Sequence, residues 1–313
     1  MNPQKFYEPY RNYQAPILAC AGNHDGMISP LAHAKSLAAY LRNFCTDPAS
    51  GYIVTPEAGG LSRTAQIQPG VFFTFEAPFV RILIFYSNTL EDPGVIADSD
   101  IGDAQLKFLK TALQRVKSEN FKGALLFAHH HPPYAVGAQH ASSTQMRKQM
   151  DRICIEAGVW PHAVLAGHAH NYQRFVRHRT DGTAIPYIIC GNGGHNVQKL
   201  RPKGKTPLRA PQIILPKSKD DDQVTLENYD DINYGYLRII VSAAQLRIEY
   251  HPASDGEGTK TPDDSVTVDL ATRKQSVFRT NDLGFPADAQ AIRALHDKRA
   301  KSAVKTKAKR HKK

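Results

Sequence analysis

Residues 124–132 read ALLFAHHHP, an apolar run of strand length that is followed directly by three histidines and a proline. The same order occurs twice more, because residues 17–25 read ILACAGNHD and residues 163–170 read AVLAGHAH. Short apolar runs bounded by turn residues are typical of buried strands, and side chains that follow the carboxyl ends of such strands form the sites of α/β proteins. The three segments therefore predict an α/β fold that gathers several imidazoles and one amide at one edge of a sheet.

Strands and helices alternate in the first half of the predicted structure, and strands pair in the second half. Helices are predicted near 103–113 and 143–157, and strand pairs at 71–76 with 80–86 and at 236–241 with 246–250. Residues 198–222 are rich in Pro and Lys and then acidic, which indicates a surface loop. This order of elements favours a layered α/β sandwich.

The composition is that of a globular protein. Of the 313 residues, 41% are hydrophobic, which is enough for one large domain or two. No apolar run approaches the roughly 18 residues of a membrane-spanning helix, and the first residues lack the apolar stretch of a signal peptide. We therefore expect no membrane association and, for the chain as written, a cytoplasmic location. Four cysteines without a C-x-x-C pair argue against a disulfide framework.

The net charge of +11 comes mostly from the C-terminal tail, residues 298–313, which holds nine Lys or Arg residues and no acid. The rest of the chain carries 31 basic and 29 acidic residues, a near balance that argues against a nucleic-acid-binding fold. We predict one domain over residues 1–285, and a C-terminal helix and basic disordered tail over residues 286–313. Nucleic acid is expected at most as a non-specific contact of this tail.

The histidine segments carry the chemistry of a transition-metal site, because neutral imidazole and amide oxygen are good ligands for Zn, Mn or Fe. In the first segment, Asn23 could bind metal while His24 faces a substrate and Asp25 holds the tautomer of that imidazole. In the third segment, His168 and His170 stand two apart in a loop, from which both could reach different metals of one cluster.

The remaining histidines have plainer interpretations. His129 and His131 flank the central histidine of their segment, and we predict structural or supporting roles for both. Four others are predicted to be ordinary surface residues rather than ligands: His33, His140, His162 and His296.

With these three segments in this order, the sequence resembles the calcineurin-like metallophosphoesterases, and within them the purple-acid-phosphatase-like branch. GNHD at residues 22–25 is similar to the family's G-N-H-D/E motif, HHHP at 129–132 to its histidine motif before proline, and GHAHNYQR at 167–174 to its G-H-x-H motif. The likeness extends over roughly residues 5–250. It implies the α/β/β/α layered sandwich of that family.

The resemblance also implies a set of metal ligands. Asn23, His130 and His168 would bind one metal, and His170 would bind a second. The metals would be divalent or trivalent ions of Mn, Zn or Fe. The substrate would be a phosphate ester, hydrolysed by a metal-activated hydroxide.

The resemblance also implies that His24 is catalytic and would stabilise the transition state or protonate the leaving group, and that Asp25 would support His24.

The chain departs from the family pattern upstream, because residues 1–21 contain no Asp. The family's D-x-H/G and G-D-x-x-Y motifs, which supply a terminal and a bridging aspartate, precede its G-N-H-D/E motif. We therefore expect an N-terminally truncated fold that lacks the first βαβ portion and retains ligands for about one metal.

Two other functions remain open. The chain could be a degenerate, non-catalytic relative that acts as a binding or regulatory module, which would fold stably without metal. The tail, residues 298–313, could bind nucleic acid or another anionic surface through phosphate contacts, although a solvated tail is the simpler interpretation. We favour the metal-dependent phosphoesterase.

Overall fold

The computed structural model describes nine stretches of the chain, namely 6–26, 37–45, 67–88, 93–137, 140–201, 206, 208–219, 221–253 and 262–279. The chain divides into two compact units, the first made of Met1–Val136 with His140–His168, the second of Gly137–Gln139 with Ala169–Lys313. The predicted C-terminal helix and basic tail, residues 286–313, lie outside the described residues.

Three helices and twelve strands are assigned within these stretches, so the predicted α/β class is confirmed. The helices are α1 (Ala38–Phe44), α2 (Ala104–Ser118) and α3 (Thr144–Ala157). The strands are β1 (Phe73–Ala77), β2 (Val80–Ile84), β3 (Ala124–His129), β4 (Ala163–Ala166), β5 (Tyr172–His178), β6 (Ala184–Cys190), β7 (Gln212–Leu215), β8 (Gln223–Asp230), β9 (Gly235–Val241), β10 (Gln245–Pro252), β11 (Asp264–Asp269) and β12 (Gln275–Arg279).

In the first unit, four strands lie in the order β1-β2-β3-β4. β1 and β2 form the predicted antiparallel pair, with Phe73 opposite Ile84. β3 is parallel to both of its neighbours, and its Leu126 faces Ala163 of β4. Because parallel strands run in one direction, the carboxyl ends of β2, β3 and β4 lie at the same edge of the sheet.

The two predicted helices, α2 and α3, both lie in the first unit. α2 buries Leu109 and Leu113 completely, which follows from their spacing on one helical face. The amide of Gln105 accepts from Tyr86 N at 2.8 Å and donates to Tyr86 O at 2.7 Å, and so ties α2 to the segment after β2. α3 begins after Ser143, whose hydroxyl accepts a hydrogen bond from a backbone N–H of the first turn.

The strand predicted at 17–21 is wrong, because this segment lies outside all of the assigned strands. Leu18 is exposed, and Ala21 is the buried residue of the run. The backbone of Ala19 instead bonds to the side-chain amide of Gln68, through its N–H at 2.5 Å and its C=O at 3.1 Å. A glutamine side chain therefore supplies the hydrogen bonds that a neighbouring strand would supply, which apolar composition does not reveal.

The second unit contains two groups of strands, in the orders β6-β5-β8-β7 and β12-β11-β10-β9. The predicted hairpin is formed by β9 and β10, with Ile239 opposite Ile248. Tyr172 of β5 stacks on Tyr250 of β10, with ring centroids 3.9 Å apart. Two sheets therefore face each other in this unit, as a layered sandwich requires.

The loop predicted at 198–222 contains a strand, β7 (Gln212–Leu215), which pairs with β8. Ile213 remains half-exposed because β7 is at the edge of its group. The prediction missed β7 because four residues flanked by Pro and Lys become a strand through their pairing partner rather than through composition.

No helix among the described residues is long and apolar enough to cross a bilayer.

Candidate metal centre

The carboxyl ends of β2, β3 and β4 bring three short loops together in the first unit. Ser87 follows β2, His130 and His131 follow β3, and His168 follows β4. The loops are joined directly, since Gly167 N donates to His130 O at 3.0 Å and His131 N donates to Ser87 Oγ at 3.1 Å. Side chains from distant parts of the sequence therefore meet at one edge of the sheet.

The turn that carries Asn23 is held against this edge. Asn88 donates through Nδ2 to Ala21 O at 3.0 Å and to Gly26 O at 3.3 Å, and so binds both ends of the turn. Inside the turn, the Asp25 carboxylate accepts a hydrogen bond from Gly22 N at 2.9 Å. The Asn23 side chain is consequently buried at a defined position.

Three of the predicted ligands come together around one atom, His130 Nε2. It lies 2.8 Å from Asn23 Oδ1 and 3.0 Å from His168 Nδ1. An amide oxygen and two ring nitrogens thus converge within hydrogen-bond distance. A single proton between them can satisfy only one of these contacts, whereas a cation can accept lone pairs from all three atoms.

Two further imidazoles join the cluster. The His131 ring lies with its centroid 4.3 Å from that of His168, and His140 Nδ1 lies 3.0 Å from His168 Nε2. The prediction that His140 is an ordinary surface residue is wrong. It lies in the connection between β3 and α3, and loops that follow the carboxyl end of a parallel strand commonly carry site residues, which is the signal that could have identified it.

Two other histidines are structural. His162 was predicted to be on the surface and is instead buried, where its Nδ1 accepts a hydrogen bond from Leu125 N at 3.0 Å. His129, for which a structural or supporting role was predicted, is buried and contacts His131 O through Nδ1 at 2.8 Å. Both imidazoles brace the backbone at β3. His33 and His296 lie outside the described residues.

Burial favours the neutral form of two imidazoles in this region, His130 and His129. It lowers the pKa of His130 well below its usual value, and the neighbouring imidazoles, beginning with His131 and His168, lower it further. Burial likewise lowers the pKa of His129 to about 4. A neutral imidazole keeps a lone pair for a metal, so His130 is in the protonation state that ligation requires at neutral pH.

The backbone around the cluster has an unusual local conformation. His168 has φ of +63°, a left-handed conformation that residues other than glycine rarely adopt and that occurs preferentially at functional sites. Gly94 has φ of +76°, and a Cβ atom there would lie 2.3 Å from the His131 ring. The His131 ring therefore occupies space that only glycine at position 94 leaves open.

The two residues predicted to be catalytic lie in the same turn as Asn23. His24 is exposed, and its charge contributes to the lowered pKa of His130, so the two imidazoles are near one another. The Asp25 carboxylate bonds to Gly22 N and closes the turn. The predicted contact of Asp25 with the His24 imidazole stays a prediction.

The fourth predicted ligand, His170, belongs to the second unit. Its backbone C=O accepts a hydrogen bond from Gln198 N at 2.8 Å. Its ring packs against the exposed ring of His195, with centroids 4.3 Å apart. His195 was not predicted as a site residue, although it ends the glycine-rich segment that follows β6.

The residues of the first unit fit a transition metal. Within the described residues, the group that could hold a metal ion consists of histidines alone, His130, His131 and His168, each offering one ring nitrogen. His130 Nε2 also lies 2.8 Å from Asn23 Oδ1. Such nitrogen-rich sets suit Zn, and also Fe or Mn with added oxygen ligands.

Comparison with known proteins agrees with this geometry. Residues 2–172 match the family model described as calcineurin-like phosphoesterase. Among curated proteins, the chain is similar to "Probable purple acid phosphatase 20" of Arabidopsis thaliana, with 24% identity over 275 residues that cover 86% of this chain and 52% of that protein.

A solved structure titled "Structure of PhoD" is also similar, with 13% identity, a TM-score of 0.46 and coverage of 79% of this chain and 52% of that chain. The chain thus spans about half the length of the relatives that it matches.

Proposed function

We propose, because this chain belongs to the calcineurin-like phosphoesterase family, that it hydrolyses phosphate esters at the histidine cluster of its first unit. The observation that carries this proposal is the convergence of Asn23 Oδ1, His130 Nε2 and His168 Nδ1 within 2.8 to 3.0 Å. Shared ligation of a cation would engage all three donor atoms at once.

A bound transition metal would supply Lewis-acid polarisation of the phosphoryl oxygens and an activated water. Asn23, His130 and His168 would hold this metal, and His170 would contribute to a second one. Zn, Mn and Fe all suit imidazole ligands. The lowered pKa of His130 supports this assignment, because its ring stays unprotonated over the pH range in which enzymes of this kind bind metal.

His24 would act on the leaving group. It is exposed and directly follows Asn23, so its imidazole can reach an ester that lies on the metal. As a general acid it would donate a proton to the departing oxygen, which in comparable sites contributes about 10²- to 10⁴-fold. Asp25 would position His24 by holding the turn closed through its contact with Gly22 N.

The proposal specifies the substrate only as a phosphate ester. A relative named as a probable purple acid phosphatase supports a phosphate ester. Monoester and diester are both compatible with the ligand set, so the assay must include both.

The test begins with the 313-residue chain supplied with Zn, Mn or Fe and assayed on an aryl phosphate monoester and diester. We expect metal-dependent turnover that Asn23→Ala and His168→Ala abolish, with a parallel loss of metal by elemental analysis. His178→Ala is the matched control, because it removes an exposed imidazole at the end of β5 and should change neither quantity.

His24→Ala separates binding from catalysis. We expect it to retain metal and to lower kcat by about 10²- to 10⁴-fold. Full kcat in this variant would exclude the role of His24. Metal bound at the cluster without turnover on either ester would instead favour the non-catalytic binding module.

A further inference from the structure

We propose that His131 is a ligand of the metal in this chain, so that His130, His131, His168 and Asn23 form one four-donor site for a zinc-type ion. This inference rests on the proposed function only in placing a metal at the cluster. It replaces the supporting role that the sequence indicated for His131 with direct ligation. It also makes the first unit sufficient for one ion.

The distances support a three-imidazole site. One ring nitrogen from each of His130, His131 and His168 lies within 4.8 Å of the others. The ring centroids are separated by 4.9 Å between His130 and His131, 4.8 Å between His130 and His168, and 4.3 Å between His131 and His168. Donors about 2.0–2.1 Å from zinc in a tetrahedron are about 3.3 Å apart, so the ring nitrogens would move closer to one another when the ion binds.

Ser87 orients the His131 ring as a ligand requires. Both residues are fully buried. Ser87 Oγ lies 3.0 Å from His131 Nδ1 and also accepts a hydrogen bond from His131 N at 3.1 Å. A serine on Nδ1 directs Nε2 to the opposite side of the ring, and such a contact on the non-ligating nitrogen is the usual partner of a metal-bound histidine.

Close packing of Gly94 also restricts the His131 ring. A Cβ atom on Gly94 would lie 2.3 Å from His131 Cγ and 2.4 Å from Nδ1. Gly94 is itself held, because its C=O accepts a hydrogen bond from Ser143 Oγ at the start of α3. Gly94 and the first residue before α3, Ser143, therefore restrict the ring. A ligand that is already restricted loses little conformational entropy when the ion binds.

The ligand count favours zinc. Three imidazoles and one amide oxygen provide four donors, the number that Zn²⁺ takes in structural sites, and a catalytic water would be a fifth ligand. With two imidazoles and the amide alone, the ion would keep only three protein donors in this unit. His131 thus converts a partial ligand set into a complete one without any carboxylate.

The test measures zinc affinity by competition with a chromophoric chelator and records the visible spectrum of the Co²⁺-loaded chain. We expect the intact chain to bind one Zn²⁺ in the first unit and to give the intense d–d bands of four-coordinate Co²⁺. Loss of a residue that only hydrogen-bonds a metal ligand costs about 10- to 100-fold in metal affinity, and this is the range expected for Ser87→Ala. Loss of a ligand itself should cost more, so His131→Ala should weaken zinc binding by more than about 100-fold.

His178→Ala again serves as the control and should leave both readouts unchanged. Zinc affinity and the Co²⁺ spectrum unchanged in His131→Ala, with metal lost in His168→Ala, would overturn the inference. If His131→Ala does not fold, X-ray absorption of the intact zinc-loaded chain decides, since three imidazoles support the inference and two overturn it. None of these readouts needs turnover, so a chain without phosphoesterase activity can still confirm the site, and an active one can still refute it.

Discussion

Two buried polar clusters of this chain satisfy their side chains in opposite ways. In the second unit, the guanidinium of Arg174 donates to both carboxylate oxygens of Asp264, at 2.7 and 3.0 Å, and both side chains are almost completely buried. In the first unit, the ring nitrogens of His130 and His168 meet each other and the Asn23 amide. Among the described residues, the metal-capable group there contains no carboxylate.

This difference separates a structural cluster from a functional one. The Arg174–Asp264 pair contains both charges, and Tyr172 adds a further donor to Asp264 Oδ2 at 2.8 Å, so the carboxylate is satisfied without a ligand. The imidazole cluster instead gathers ring nitrogens and an amide oxygen, which are donor atoms that a cation could share. The Arg174–Asp264 pair is complete without one.

Removing the counter-charge of the structural cluster should give the largest effect. Asp264→Asn leaves the buried Arg174 guanidinium without a carboxylate, and we expect the free energy of unfolding to fall by about 3–5 kcal/mol. Urea unfolding followed by far-UV circular dichroism measures this loss.

The matched control removes both charges at once. The double variant Arg174→Met with Asp264→Leu should recover most of the lost stability, because a hydrophobic pair of similar volume avoids the unpaired charge. A loss below about 1 kcal/mol in Asp264→Asn, the worth of one neutral hydrogen bond, would remove the contrast between the two clusters.

The packing of His131 should give an intermediate effect. Gly94→Ala forces a Cβ atom into the His131 ring and also requires alanine at φ of +76°. Left-handed strain of about 1–2 kcal/mol and overpacking of about 1–3 kcal/mol should add, and zinc affinity should fall with them. Urea unfolding and chelator competition measure the two losses.

Gly102→Ala is its control. Gly102 has φ of +66° with nothing within 4 Å of an added Cβ, so this variant should show the strain alone and keep full zinc affinity. Equal losses in the two variants would mean that contact with His131 contributes nothing.

An exposed ion pair should give the smallest effect. Lys107 Nζ of α2 lies 2.9 Å from Oδ1 of Asp103, the residue before that helix, with 76% and 60% of the two side chains exposed. Lys107→Gln should change the free energy of unfolding by less than about 0.5 kcal/mol, because water already solvates both charges. A loss comparable to that of Asp264→Asn would show that burial does not set the strength of these pairs.

The sequence predicted those parts of the fold that depend on local pattern. The strands at 124–128 and 163–166 and the helix near 143–157 are confirmed, because apolar periodicity and a serine cap are properties of neighbouring residues. It failed where a distant partner decides the structure. Ala19, within the run predicted as a strand, bonds to the side chain of Gln68, and β7 exists through its pairing with β8.

The candidate site was predicted to a similar extent. Asn23, His130 and His168 were identified from their segments, and the structure brings them together. The positions of His131 and His140 were missed, because whether an imidazole in a loop turns toward its neighbours depends on packing around it.

By itself, the sequence determined which residues follow each apolar run and therefore which side chains could become ligands, since composition and turn chemistry are local. Only the tertiary structure decided which of these side chains meet. Parallel pairing of β2, β3 and β4 sets Ser87, His131 and His168 at one edge, and packing between β5 and β11 in the second unit joins Arg174 to Asp264 across 90 residues. Contacts over such separations depend on strand register and core packing, which no local stretch of sequence encodes.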